Sequence, residues 1–160
     1  MPSVPVAELE RLKQEFTQGR HDHAAWCARC LTIPDLTGHV VDLIPTPAQT
    51  RLFEAARKQR ALGRPVRIIY LKARRVHVSV AAATDMFHQV PFDSNQHGMI
   101  VSHSKRSSRE IYGYIEHFVD HFKPYGGVAG CPTIVLPETD TRNETYGIKW
   151  KNASYVEIGT

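Results

Sequence analysis

The 160-residue chain predicts an α/β fold with a parallel sheet and crossover helices, and two observations carry that expectation. Between residues 66 and 122, "VRIIYL", "SVAAATDMFHQV", "GMIVSHS" and "KRSSREIYGYIEHFVDHF" alternate strand-like and helix-like patterns. Strand, helix, strand, helix is the order that crossover connections between parallel strands produce. Near the end, "YGIKWKNASYVEIGT" sets two alternating runs around "KNAS", as an antiparallel hairpin does. With 42% hydrophobic and 22% charged residues, the composition is that of a globular chain long enough for one core.

Taken in order, "VAELERLKQEF" places Val6, Leu9, Leu12 and Phe16 at helical spacing and predicts a short amphipathic helix. "HAAWCARCLTI" predicts a second helix, ended by Pro34. The turn-rich stretch through Pro45 and Pro47 leads into "AQTRLFEAARKQRAL", whose alanine, leucine and arginine content favours helix until Gly63 and Pro65. "VRIIYL" is a short β-branched and aromatic run that predicts a buried strand, and "GMIVSHS" predicts a second one. In the helix between 105 and 122, Ile111, Ile115, Phe118 and Phe122 fall on one face; with Trp150 the two phenylalanines are expected in the core.

No apolar run reaches the ~18 to 20 residues a membrane span requires, and the N-terminus lacks a signal-peptide pattern, so a soluble, intracellular chain is expected. Three cysteines do not form a disulfide framework, which fits a reducing compartment. His21, His23, Cys27 and Cys30 are a zinc-compatible set of residue types, but the His23 to Cys27 spacing is tight. On a helix, Cys27 and Cys30 share a face where buried free cysteines are ordinary. His103, after the second strand, could reach a nucleotide or DNA, although polar histidines at strand ends are commonly satisfied locally.

The net charge of +4 says less than its distribution. From Arg51 to Arg75 the chain carries Arg51, Arg57, Lys58, Arg60, Arg64, Arg67, Lys72, Arg74 and Arg75 against the single acid Glu54. Such a field suits phosphate, of a nucleotide or of a nucleic-acid backbone, while the part up to Arg64 is equally a solvated helix face. Lys72, Arg74 and Arg75 crowd the turn where a strand is followed by a helix. A helix N-terminus offers unpaired N–H groups and the positive end of the macrodipole, so an anion is needed to offset added cations there. Ser79, at the start of that helix, is expected either to cap it or to hold Mg²⁺ beside bound phosphates.

These residues resemble a family. "LKARRVHVSVAAATDMFHQ" resembles the divergent Walker A segment of bacteriophage terminase large subunits, the ATP-driven motors that package DNA into capsids. "PTPAQTRLF" resembles the upstream segment that contacts adenine through a glutamine, here Gln49. "MIVSHSKRSSREIYGYIEHFV" resembles the family's second strand and following helix, and "YGIKWKNASYVEIGT" its hairpin. The resemblance runs from about Trp26 to Thr160, with four segments in the family's order.

The resemblance implies a P-loop NTPase fold of the RecA/ASCE type, a three-layer core with a parallel sheet, incomplete at the C-terminus, plus an antiparallel hairpin. A helical and turn-rich segment over 1–48 would precede a partial ATPase domain over 49–160. The implied ligands are ATP and Mg²⁺, with Gln49 and the loop Lys72, Ala73, Arg74, Arg75, Val76, His77, Val78 and Ser79 at the nucleotide. Lys72 would contact the phosphates, Arg74 and Arg75 would brace them, and Ser79 would bind the metal. The implied partners are double-stranded DNA, the terminase small subunit, the portal protein and further copies of the chain, in the host cytoplasm and without a membrane.

Two loop positions depart from the family. His77 stands where glycine is expected, because the backbone there must approach phosphate and take up positive φ, and Val80 replaces threonine. The acidic metal-binding strand has one candidate, "TIVLPETD" with Glu138, which Pro137 interrupts. In the family that strand lies beyond the hairpin, as does the nuclease domain, so nucleotide binding without complete catalysis is the expectation. Two alternatives remain: a non-catalytic basic nucleic-acid-binding remnant, and a fragment of another P-loop ATPase or helicase, which fits the Asn152 to Ser154 hairpin less well.

Overall fold

The structure is a computed structural model that describes residues 22–71, 77–124, 134–143 and 147–159. The expected helix over Val6 to Phe16, His21, and the turn residues Lys72 to Val76 lie outside the described residues.

Helix α1 spans His23–Cys30 and is capped by Asp22, whose carboxylate accepts from the Ala24 and Ala25 N–H groups at 3.1 and 3.2 Å. It stops earlier than the sequence suggests. Leu31 is extended, and Thr32–Pro34 forms strand β1, paired antiparallel with β2 at Val40–Asp42. β-Branched Thr32 and Ile33 are weak helix formers, and the Asp35 carboxylate accepts from the Thr37 and His39 N–H groups at 2.7 and 2.9 Å, closing the turn between the strands.

Helix α2, Pro47–Ala61, opens with a capping box: the Thr46 hydroxyl accepts from the Gln49 N–H, and the Gln49 side chain accepts from the Thr46 N–H. It buries Gln49, Phe53 and Ala56 at helical spacing. Residues 65–71 then run without any ladder, which corrects the expectation of a buried strand there. Val66, Ile68 and Tyr70 are half-buried, but Ile69 and Leu71 are each 95% exposed. This segment is tied to α2 by side chains instead of to a sheet. Gln59 accepts from the Arg67 N–H at 2.7 Å and donates to its carbonyl, and the Tyr70 hydroxyl donates to the Ala48 carbonyl.

Helix α3, Val78–Gln89, buries Val80, Ala81, Ala83, Thr84 and Phe87, and its small residues let it pack closely on α1, α2 and the long helix α4, Lys105–Asp120. α4 is capped by Ser104 and buries Ser108, Tyr112, Ile115 and Phe118. Of the expected apolar line on α4, Ile115 and Phe118 are buried, while Ile111 and Phe122 pack at its margin.

The main sheet has the order β3-β6-β5-β4, with β3 at His97–Val101, β4 at Thr139–Asn143, β5 at Gly147–Trp150 and β6 at Tyr155–Gly159. β5 and β6 form the expected antiparallel hairpin. β3 pairs in parallel with β6, from His97 opposite Tyr155 to Val101 opposite Gly159, and not with residues 66–71. The hairpin turn accounts for this choice. Asn152 donates to the Pro91 and Asp93 carbonyls at 2.7 and 3.2 Å, Ser154 donates to the Asp93 carbonyl, and the Ser154 hydroxyl accepts from the Gln96 N–H. Those contacts clamp the start of β6 to the loop that enters β3. The fold is therefore mixed α/β, with four helices among the described residues and a sheet of both parallel and antiparallel pairs.

Ile100, Ile148, Trp150 and Val156 of the sheet join the core, and α4 packs against β3 and β6. At its centre Phe87 meets Phe118, Phe92, Phe122 and Trp26 with ring centroids 5.5 to 6.4 Å apart. No helix among the described residues is long and apolar enough to cross a membrane.

Candidate nucleotide site

The turn before α3 is the region where the sequence concentrates its candidates, and four of them are described: Gln49, His77, Val78 and Ser79. His77 is the N-cap of α3 and sits in the left-handed region, at φ 51° and ψ 32°. Glycine adopts that conformation freely, and a β-carbon makes it costlier, so the positive φ anticipated at this position is present with a histidine holding it. Val78 is the first residue of the helix and Ser79 the second. Ser79 is thus not the N-cap, and its hydroxyl makes no capping bond.

The N-terminus of α3 differs from the other three. Asp22, Thr46 and Ser104 cap α1, α2 and α4 through side-chain oxygens, whereas the N-cap residue of α3, His77, makes no side-chain capping bond, and no other side chain among the described residues supplies one. The first N–H groups of a helix have no partner within it, and here nothing from the N-cap residue replaces one.

Gln49 reaches this turn from α2. It is buried, and its Nε2 donates to the His77 carbonyl at 3.0 Å while its Oε1 accepts from the Thr46 N–H at 2.8 Å. The His77 carbonyl also accepts the first intrahelical bond, from the Ala81 N–H at 3.3 Å. The residue expected at adenine therefore braces the turn, with one N–H and one lone pair of its carboxamide unspent. The sequence signals only the local half of this role: Thr46 followed three residues later by Gln49 is the capping-box pattern at the start of α2.

The surrounding charges are partly spent. Arg60 on α2 makes a bidentate pair with Asp85 on α3, at 3.1 and 2.6 Å, and His23 Nδ1 lies 3.3 Å from the same carboxylate. Arg51, Arg57, Lys58, Arg64 and Arg67 are exposed and form no ion pair with the described residues. His23 is buried between Phe53 and His88, with ring centroids 3.9 and 4.6 Å away. Burial works against ionisation of Asp85, but its bonds to His23 and Arg60 and their charges outweigh that and hold its carboxyl at about 2.

A carboxyl whose pKa is lower folded than unfolded stabilises the fold above its unfolded value, and that stability is lost as pH falls through the folded one. Between the ordinary 3.8 and about 2, the protein is expected to lose about 2 kcal/mol through Asp85. Urea denaturation across that range should show this acid-side slope in the wild type and a shallower one in Asp85→Asn.

The remaining candidates lie apart. Cys27 and Cys30 are buried free thiols, and burial raises both, Cys30 to about 12, so they are protonated core residues at neutral pH. No group of three or more histidine, cysteine, aspartate or glutamate side chains able to hold a metal occurs among the described residues. His103 is exposed and its ring nitrogens lie 3.4 Å from the Ser102 and Ser107 hydroxyls. Glu138 is exposed, pairs with Lys151 at 2.8 Å, and precedes strand β4 instead of ending a strand.

Comparison of the sequence with protein families and with characterised proteins found no match.

Proposed function

We propose that the chain binds a nucleoside triphosphate through the turn that enters α3, as the nucleotide-binding part of the ATPase domain of a phage terminase large subunit. One observation carries the reading: His77 holds the left-handed conformation at the uncapped start of α3, directly after a segment bearing Lys72, Arg74 and Arg75. An uncapped helix start favours an anion, and cations preceding it need one. In this reading the phosphates sit at the N–H groups of the first turn of α3, Lys72 supplies a point charge to them, and Arg74 and Arg75 stabilise the terminal phosphate. The Ser79 hydroxyl, one residue into the helix, is the protein's ligand for the accompanying Mg²⁺. Gln49 keeps the His77 carbonyl turned into the protein, away from the phosphates.

Titration with a fluorescent ATP analogue and Mg²⁺ tests this. The wild type should bind, Lys72→Ala should bind at least about tenfold more weakly, and His77→Gly should retain binding, because glycine adopts the left-handed conformation that His77 already holds. Negligible binding by all three removes the proposal. A second reading, a basic nucleic-acid-binding module, is favoured by Arg51, Arg57, Lys58, Arg64 and Arg67, which are exposed and form no ion pair among the described residues. It predicts duplex-DNA affinity that falls steeply with salt and is unchanged in Lys72→Ala.

A further inference from the structure

Among the described residues, two surfaces have the form of a sheet edge without a neighbour. The first is the outer edge of β3, which among the described residues pairs with β6 alone and is the end strand of the sheet. Proteins commonly protect such edges with charges, bulges or proline. The opposite edge is protected in this way: β4 reads Thr-Asp-Thr-Arg-Asn and its pairing with β5 is irregular between Thr139 and Thr141. β3 reads His-Gly-Met-Ile-Val, has no bulge, and exposes Met99 and Val101 by 50% and 62%.

The second surface is the segment from Ile68 to Leu71. Its residues alternate between half-buried and exposed, as in a strand with one covered face, yet its backbone bonds to none of the described residues. Gln59 satisfies Arg67 and goes no further. Ile69 and Leu71 stand free of the protein, a state that large apolar side chains on successive same-face positions do not favour in water.

We infer that this chain associates with a second copy of itself by laying the segment Ile68–Leu71 of one molecule along the free edge of β3 in the other. An unpaired edge selects an extended partner by its backbone groups, and side-chain pockets on alternate positions select the residues. The chain carries both halves of that match. Ile69 and Leu71 would then share a face with Met99 and Val101, and the unpaired backbone groups of both segments would be satisfied at once. The charged and irregular β4 edge takes no part. This inference does not depend on nucleotide binding, because none of the pairing residues is in the turn from Lys72 to Ser79.

Sedimentation equilibrium and light scattering on the full chain test it. The expected result is a concentration-dependent species of twice the 18.1 kDa monomer mass. Ile69→Lys and Val101→Lys should each weaken association at least about tenfold, while Thr141→Lys on the β4 edge should leave it unchanged. Circular dichroism and urea denaturation of each variant separate lost association from lost folding, since both lysines replace exposed side chains. A wild type that stays monomeric up to about 1 mM overturns the inference. Monomers whose residues 68–71 are protected from hydrogen exchange also overturn it, by assigning the pairing to a single molecule. Association unaffected by either lysine overturns it too.

Discussion

Gly147→Ala is expected to destabilise the fold by about 4 kcal/mol or more, a large share of the ~5–15 kcal/mol that holds a domain of this kind together. Gly147 opens β5 at φ 128°, a region that residues with a β-carbon avoid. Steric exclusion adds to the strain. A β-carbon built there would lie 1.8 Å from the Val156 carbonyl oxygen and 2.8 Å from the Glu157 α-carbon. These are backbone atoms of β6, so no side chain can swing aside to make room. The strand itself must move away, and with it the ladder in which Gly147 faces Glu157 and Ile148 faces Val156. Because β6 is also the parallel partner of β3, the loss spreads across the sheet. Chemical denaturation of the purified variant measures the effect. A loss below 1 kcal/mol would mean that the β5–β6 register is not the one described.

Phe87→Ala should cost about 3–5 kcal/mol, through lost transfer free energy and the cavity left behind. Phe87 is fully buried on α3 and touches rings from α1, from the loop after α3, from α4 and from Phe122, two residues beyond α4. Trp26, Phe92, Phe118 and Phe122 surround the space on several sides, so the walls cannot collapse inward together. Leu36→Ala offers the matched comparison: that side chain is fully exposed, and its removal should change stability by no more than about 0.5 kcal/mol. Near-equal denaturation midpoints for the two variants would contradict the placement of α3 in the core.

The sequence disclosed the helices more fully than the sheet, for reasons that particular residues make plain. α3 and α4 carry apolar residues at helical spacing, and Ser104 marks the start of α4, whereas the start of α3 has no capping side chain at His77. The β5–β6 hairpin was legible because alternation and the Asn-Ala-Ser turn agree. Strand β4 was not, since Thr139 to Asn143 has neither alternation nor β-branched apolar residues and exists through its pairing with β5. "VRIIYL" misled in the opposite direction. Its composition is that of a strand, but composition does not supply a neighbour, and Gln59 and Tyr70 fasten it to α2. At the candidate site, the need for positive φ at His77 followed from the chemistry of a phosphate turn, while the bracing role of Gln49 is a long-range contact that no local pattern displays.

The most direct measurement of the central claim is the amide NMR spectrum of the isotopically labelled chain during titration with Mg²⁺ and inorganic tripolyphosphate. Capture of a polyphosphate at the start of α3 predicts the largest shift changes at the N–H groups of His77, Val78, Ser79 and Val80, abolished in Lys72→Ala. Changes confined to the exposed arginines and lysines between Arg51 and Arg67, with residues 77–80 unmoved, would contradict it.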